Sequence, residues 1–190
     1  MSIWFPHIPA RQLVAILRIT LIGILFAGTY GALHDQVSYA ISPEYFTQMK
    51  FRQFAYADFG WPPRVFAAEI GFLATWWVGL IGGWLIARSG LAELNEKSSL
   101  NYTARAFALA GGVAATIGSV GIVLGAWEAS HNANAWSEWQ RTLELNDLPA
   151  FIVVAYLHGA SYLGGLLGVI AATIYVKRTL RRLSSFPNSP

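Results

Sequence analysis

Four long apolar runs constrain the fold of this chain more than any other feature of its sequence. They span residues 13–33, 65–87, 106–127 and 151–176. A transmembrane helix needs about 20 mainly apolar residues, and each run meets that requirement. The runs do not alternate apolar with polar residues, as the strands of a membrane barrel do. We therefore expect an all-α membrane protein in which residues 1–190 form a single four-helix transmembrane bundle.

The composition supports this class. Hydrophobic residues make up 55% of the chain, and charged residues make up 12%, about half of their usual share in soluble domains. The chain has no cysteine, which excludes disulfides, thiolate metal sites and cysteine nucleophiles. The formal net charge is +3, and the basic residues flank the apolar runs rather than forming one patch. We therefore expect the chain to associate with a lipid bilayer and not with nucleic acid.

Basic residues at the ends of the apolar runs predict the orientation of the helices, because arginine and lysine are enriched on the cytoplasmic side. The prediction is that both termini are cytoplasmic and that segments 34–64 and 128–150 lie outside. A basic residue before the first apolar run is also typical of a signal peptide, but we interpret this run as a retained helix. The basic residues that set the orientation are Arg11, Arg18, Arg88, Lys97, Arg105, Lys177, Arg178, Arg181 and Arg182.

Glycines spaced four residues apart predict the helix faces that pack together. Small residues let helix backbones approach closely in a membrane, where lipid gives no hydrophobic drive for association. Three of the four runs contain such a pair. The pairs are Gly79 with Gly83, Gly121 with Gly125, and Gly164 with Gly168.

Polar residues gather toward the predicted outer end of the bundle. Counting about 1.5 Å per residue from the cytoplasmic basic residues places Tyr30, Glu69 and His158 about 28 Å above that boundary. An ionised Glu69 facing lipid would cost about 2.5 to 3.5 kcal/mol, so we expect it to face the bundle interior. The same count places a second set about 34 Å above the boundary or slightly beyond it. This set consists of His34, Asp35, Glu128 and His131.

One short motif carries a resemblance to a known family. Residues 127–131 read WEASH, and a helix would place Glu128 and His131 on one face. This element resembles the Glu-x-x-His motif of ferritin-like di-iron and di-manganese carboxylate bundles. That family has two such motifs and a carboxylate from each of the other helices, whereas this chain has one motif. The resemblance implies a metal site that is richer in histidine than the family pattern.

We therefore expect one or two transition metal ions at the outer end of the bundle. Imidazole and carboxylate ligands suit zinc, iron, copper or manganese. Asp35 would supply a further ligand or accept a hydrogen bond from one, and Tyr30 and Tyr162 would lie nearby. A metal with an open position would suit a metal-dependent oxidoreductase or hydrolase. The expected ligands are His34, Glu69, Glu128, His131 and His158.

Segment 34–64 is too long and too aromatic for a simple connection, and we expect a structured loop over the mouth of the bundle. Ser42 before Pro43 predicts the start of a short helix there. The stretch HDQVSYAISPEYFTQMKF resembles a block in uncharacterised bacterial four-helix integral membrane proteins. This resemblance implies a location in the bacterial inner membrane and carries no known activity.

The same residues also permit simpler interpretations. Glu128 and His131 would form a solvated helix end, and His34 would begin the outer loop. Glu69 and His158 would share a structural hydrogen bond without any metal.

Two alternative functions follow from these simpler interpretations. The first is a metal-free, proton-coupled pocket protein in which Glu69 and His158 exchange protons. The second is a non-catalytic accessory subunit of a larger membrane complex, or one copy in a homo-oligomer. Exposed aromatic side chains at Trp76, Trp77 and Trp84 would favour that role.

Overall fold

The computed structural model describes residues 9–185, and this part of the chain contains six α-helices. Four of them are long and apolar enough to cross a membrane: α1 (Ala10–Ile41), α3 (Pro63–Arg88), α4 (Glu96–His131) and α6 (Leu148–Ser185). Two shorter helices, α2 (Phe51–Gln53) and α5 (Ser137–Leu143), lie in the connections. None of the described residues is in a β-strand. The predicted all-α membrane class with four spanning helices is confirmed.

The long helices extend beyond the apolar runs that predicted them. Helix α1 continues to Ile41, so His34 and Asp35 lie inside a helix and do not begin a loop. Helix α4 begins at Glu96 and ends only at His131. An apolar run marks the segment that faces lipid, whereas backbone hydrogen bonds continue the helix through polar residues on either side. The sequence pattern therefore underestimates the helix lengths.

The long helices form two close antiparallel pairs, α1 with α3 and α4 with α6. A Cβ atom on Gly125 would lie 2.8 Å from the Cα atom of Val153, and one on Gly164 would lie 2.9 Å from the Cα atom of Ala114. In the other pair, a Cβ atom on Gly83 would lie 2.9 Å from the backbone of α1. Only a hydrogen fits at these positions, so the predicted glycine pairs do mark the packing faces.

Residues 42–62, which connect α1 to α3, cover one end of the bundle, and we call this segment the lid. Ser42 begins it as predicted, since its Oγ accepts a hydrogen bond from the backbone amide of Tyr45 at 3.3 Å. Residues Tyr45–Lys50 then form a π-helix. The side chain of Phe46 is fully buried in a core that includes Phe151 and Val154 of α6. The lid is therefore packed on the bundle by apolar burial.

Glu44 attaches the lid to the loop before α6. Its carboxylate accepts hydrogen bonds from the backbone amide of Asp147 at 2.8 Å and from the Nδ2 of Asn146 at 2.7 Å. It also accepts one from the backbone amide of Asn146 at 3.0 Å. The hydrogen bond from the Asp147 amide is the main cause that lowers the pKa of Glu44. The lid is thus fixed to α6 by packing and to the loop before α6 by the Glu44 carboxylate.

Candidate functional site

Beneath the lid, α1 and α6 bring together two histidines and an aspartate. His34 and Asp35 come from α1, and His158 comes from α6. One potential ligand atom from each of the three side chains lies within 4.8 Å of the other two. Asp35 and His158 are buried and His34 is half-buried. We call these three residues the polar cluster, and their donor atoms are of the kinds that bind transition metals in proteins.

Besides Ser38 Oγ, which lies 3.5 Å from its Nδ1, His34 has two closer partners. Its Nδ1 lies 3.0 Å from Asp35 Oδ1, and its Nε2 lies 3.0 Å from Ser161 Oγ on α6. In one tautomer, the Nδ1–H donates to Asp35 and the Nε2 accepts from the serine hydroxyl. In the other, the Nε2–H donates to Ser161 and the Nδ1 lone pair faces the Asp35 carboxylate. Because two lone pairs repel, this second tautomer needs either a proton or a metal ion between them.

His158 has an unpaired ring nitrogen. The side chain is buried, and its Nε2 has no hydrogen-bond partner in the described part of the chain. This nitrogen lies 3.7 Å from Asp35 Oδ1, which is too far for a hydrogen bond. The ring stacks on Tyr45 at 4.7 Å and contacts His34 edge-on at 4.7 Å. A buried polar atom without a partner costs about 1 to 3 kcal/mol, so a group placed between the two side chains would be stabilising.

The spacing of the polar cluster is compatible with one ion. Metal bonds to imidazole nitrogen and carboxylate oxygen are about 2.0 to 2.2 Å long. Two such bonds span separations of 3.0 Å and 3.7 Å with angles of about 90° and 120° at the metal. They cannot span more than about 4.2 Å, so two ligand atoms at the 4.8 Å limit of the cluster would move closer by at least about 0.6 Å on binding.

A small cavity adjoins the polar cluster. Its volume is about 40 Å³, and one water molecule needs about 10 to 15 Å³, so there is room for an ion with a bound water. The cavity is lined by residues of α1, the lid, α3 and α6. These are Tyr30, Gly31, His34, Asp35, Lys50, Gly71, Ala74, Thr75, His158, Ser161 and Tyr162.

Lys50 reaches this cavity because the lid contains a π-helix. Hydrogen bonds in a π-helix join residues five apart, as between the amide of Phe51 and the carbonyl of Phe46, so Tyr45 and Lys50 lie on one face. The Nζ of Lys50 lies 5.9 Å from the centroid of the Tyr45 ring. Burial lowers the pKa of Lys50, and the negative charge of Asp35 opposes this effect. The lid thus places an amine beside the polar cluster.

Five of the eight residues predicted for the site line this one cavity. Besides the polar cluster, Tyr30 lies with its ring centroid 6.1 Å from that of His34, and Tyr162 lies 6.3 Å from that of His158. Ser161 and Lys50 also line the cavity and were not predicted from the sequence. Ser161 follows His158 by one helical turn and shares its face, a signal that was present in the sequence. The position of Lys50 depends on the π-helix and has no comparable sequence signal.

Glu128 and His131 lie outside the polar cluster. Because Gly125 packs against Val153, Glu128 is level with the first turn of α6, about 12 Å along the axis from His158. Its carboxylate accepts hydrogen bonds from Asn132 Nδ2 at 2.9 Å and Trp136 Nε1 at 3.2 Å. The imidazole of His131 stacks on Trp127 at 5.0 Å. Counting along the sequence placed Glu128 about 6 Å beyond His158, whereas the packing of α4 on α6 places it about 12 Å beyond.

Glu69 also lies outside the polar cluster, although it is near the same depth. Gly71 of α3 lines the cavity, and Glu69 lies two residues before it. Two residues rotate about 200° around a helix, so the Glu69 side chain points about 160° away from the face that lines the cavity. One carboxylate oxygen of Glu69 is enclosed and has no hydrogen-bond partner among the residues the structure describes. Depth alone therefore did not determine which face of α3 carries it.

Comparisons of the chain with protein-family models, with curated proteins and with solved structures found no match.

Proposed function

We propose that this chain is an integral membrane metalloprotein whose metal site is formed by His34, Asp35 and His158. The observation that carries the proposal is the buried, unpaired Nε2 of His158, which lies 3.7 Å from a carboxylate oxygen of Asp35. A buried polar nitrogen without a partner is costly, and a cation shared with the carboxylate removes that cost.

The hydrogen bonds of the site assign a role to each ligand. His34 would bind through Nδ1, in the tautomer whose Nε2–H donates to Ser161 Oγ. Asp35 would bind through Oδ1 and His158 through Nε2. Ser161 would then orient the His34 ring, as hydrogen-bond partners of metal-bound histidines commonly do. Three protein ligands leave an open position for water or a substrate, which suits zinc, iron, copper or manganese in hydrolytic or oxidative chemistry.

Metal analysis of the detergent-purified protein tests the proposal. After incubation with zinc, iron, copper or manganese and removal of free ions, we expect about one equivalent of one metal per chain. The His158→Ala variant should lose the metal. The matched control is His131→Ala, which removes a histidine that stacks on Trp127 at the surface and should retain the metal. Thermal unfolding and gel filtration would show that both variants are folded.

Two results would overturn the proposal. One is the absence of stoichiometric metal in the parent protein with all four ions. The other is loss of the metal in His131→Ala and retention in His158→Ala, which would place the metal at the Glu-x-x-His motif of α4. If His158→Ala does not fold, Asp35→Asn serves as the second variant, because it keeps the shape of the side chain and removes the anionic ligand.

A metal-free proton-exchanging network is the second candidate, and the position of Lys50 favours it. Lys50 places a cationic group beside Asp35, and its pKa is lowered by burial. Asp35, His34 and Ser161 form a chain of donors and acceptors that can transfer a proton, and Lys50 lines the same cavity. Activity or ligand binding that follows histidine titration and is insensitive to chelators would support this candidate over the metalloprotein.

The proposal includes a location in the membrane and a surface for membrane partners. Basic residues near the start of α1 and the end of α6 support cytoplasmic termini, with the polar cluster toward the outer face of a bacterial inner membrane. Trp76, Trp77 and Trp84 are substantially exposed on α3, which supports contact with lipid or with another membrane subunit. A topology assay with reporters fused at each terminus would test the orientation.

A further inference from the structure

A second cavity lies between the two helix pairs. Its volume is about 100 Å³, and all four long helices line it. It extends from the level of Ser161 to that of Val169, about 12 Å along α6. We call it the apolar chamber. Its lining consists of Phe26, Ala27, Tyr30, Thr75, Val78, Gly79, Gly82, Phe107, Ala110, Gly111, Ala114, Ser161, Tyr162, Gly165 and Val169.

Close packing within each helix pair leaves the chamber open between the pairs. The glycines that line it add no side chain, and at Gly165 an added Cβ atom would meet no other atom within 4 Å. Elsewhere the walls are tight, since a Cβ atom on Gly111 would lie 2.9 Å from the ring of Phe26. Most of the lining is aliphatic or aromatic, so the chamber suits a hydrocarbon chain better than water.

The apolar chamber joins the cavity of the polar cluster. Tyr30, Thr75, Ser161 and Tyr162 line both spaces. Tyr162 is 49% exposed and Phe26 is 37% exposed, so the chamber borders the lipid-facing surface of the bundle. A molecule that enters from the bilayer therefore meets hydrocarbon walls first and polar groups at one end.

The charge of the polar end indicates the kind of head group. Asp35 and Lys50 carry opposite charges, so a bound divalent ion leaves this end with a net positive charge. A carboxylate head group would complement that charge. The polar cluster also lies nearer the end of the bundle than the chamber does, which matches an amphiphile with its head toward the membrane surface. A volume of about 100 Å³ accommodates part of one hydrocarbon chain, so the two chains of a phospholipid would not fit together.

We propose that the apolar chamber binds the hydrocarbon chain of a long-chain carboxylate, a free fatty acid, and presents its head group to the polar cluster. This inference rests on the proposed metal site for the recognition of the head group. The chamber itself accounts for the recognition of the chain.

Photo-crosslinking in phosphatidylcholine vesicles tests the proposal. The probe is a long-chain fatty acid with a mid-chain diazirine, and a phospholipid with the same group in one chain serves as the comparison. Mass spectrometry would locate the crosslinks. We expect the fatty acid to label chamber residues such as Phe107 and Val169, and the phospholipid to label only lipid-facing residues such as Val123 and Leu166.

Two variants obstruct the chamber, and one matched variant does not. Gly165→Leu fills the open space, and Val78→Phe enlarges a wall residue, so each should reduce chamber labelling about tenfold by occupying the volume of the chain. Gly112→Leu is the control, because Gly112 is exposed on α4 and an added Cβ atom there meets nothing within 4 Å. All three variants should keep the metal content of the parent protein.

The outcomes separate this proposal from the metal site. Stoichiometric metal without fatty-acid labelling of the chamber would overturn the chamber proposal and leave the metal site intact. Chamber labelling that is unchanged in both obstructing variants, or equal for the phospholipid probe, would also overturn it. Chamber labelling in a protein without metal would support binding of the chain and overturn the metal-based recognition of the head group.

Discussion

Removal of one hydroxyl group tests whether Ser161 orients a metal-binding histidine. Ser161 Oγ lies 3.0 Å from His34 Nε2. Its hydroxyl makes no hydrogen bond to a backbone carbonyl within the described chain, whereas those of Thr116 and Ser119 bond to the carbonyl one turn earlier. The group is thus available to His34. The Ser161→Ala variant removes it without altering a ligand.

The expected loss follows from two magnitudes. A hydrogen bond contributes about 0.5 to 1.5 kcal/mol net, and loss of a partner of a metal-bound histidine typically costs 10- to 100-fold in affinity, or about 1.4 to 2.7 kcal/mol. Ser161 lines a cavity of about 40 Å³, so a water molecule can occupy the vacated space and partly replace the hydroxyl. We therefore expect metal affinity to fall about tenfold, near the lower limit.

Competition with a chromogenic chelator would measure the affinity of the purified parent and variant proteins for zinc. Ser119→Ala is the control, because its Oγ donates to the Ala115 carbonyl at 2.9 Å on an exposed face. Gly118→Ala provides an independent approach, since its Cβ atom would lie 2.5 Å from Ser161 Oγ and would displace the hydroxyl from His34. Both Ser161→Ala and Gly118→Ala should weaken binding, and Ser119→Ala should not.

Equal zinc affinity in the parent protein and in folded Ser161→Ala would refute the assigned role. It would show that the Nε2 of His34 does not depend on Ser161 for its orientation. Equal weakening in Ser161→Ala and Ser119→Ala would attribute the effect to a general change in the bundle instead.

Three further predictions concern the lid and the helix pairs. Phe46→Ala should lower the free energy of unfolding by about 3 to 5 kcal/mol in denaturant unfolding, because the ring is fully buried. Phe59 is 73% exposed, so Phe59→Ala should change it by no more than about 0.5 kcal/mol. Equal losses in the two variants would contradict this prediction. The lowered pKa of Glu44 means that its contribution is complete above pH 4.5 and is lost as the pH falls through the folded-state pKa. Hydrogen exchange at the backbone amides before α6 should show this acid-dependent loss of protection, and Glu44→Gln should remove the pH dependence. Gly125→Ala should lower thermal stability, because the added Cβ atom would lie 2.8 Å from the facing helix. Gly112→Ala should raise stability by up to about 1 kcal/mol, because alanine has the higher helix propensity and the position is open. Effects of the same sign would refute the role of Gly125 in helix packing.

The sequence was sufficient to predict the class of fold and the glycine contacts. Each of the four apolar runs lies within a long helix, because bilayer thickness imposes a minimum length that is directly readable. The glycine pair at Gly121 and Gly125 marks the α4 face that packs on α6, because close backbone approach requires small residues. Because the rise per residue of a helix is constant, the sequence also placed His34 and His158 within about 6 Å of each other in depth, and their ring centroids lie 4.7 Å apart.

The membership of the polar cluster was decided by tertiary structure. Counting along a helix gives depth but neither the direction of a side chain around the axis nor the offset between helices. Glu69 lies at a suitable depth on another face of α3, and Glu128 lies about 12 Å beyond His158 because of how α4 and α6 are offset. Lys50 approaches Asp35 only because the lid adopts a π-helix. These placements arise from packing between segments distant in sequence, so local residue patterns could not determine them.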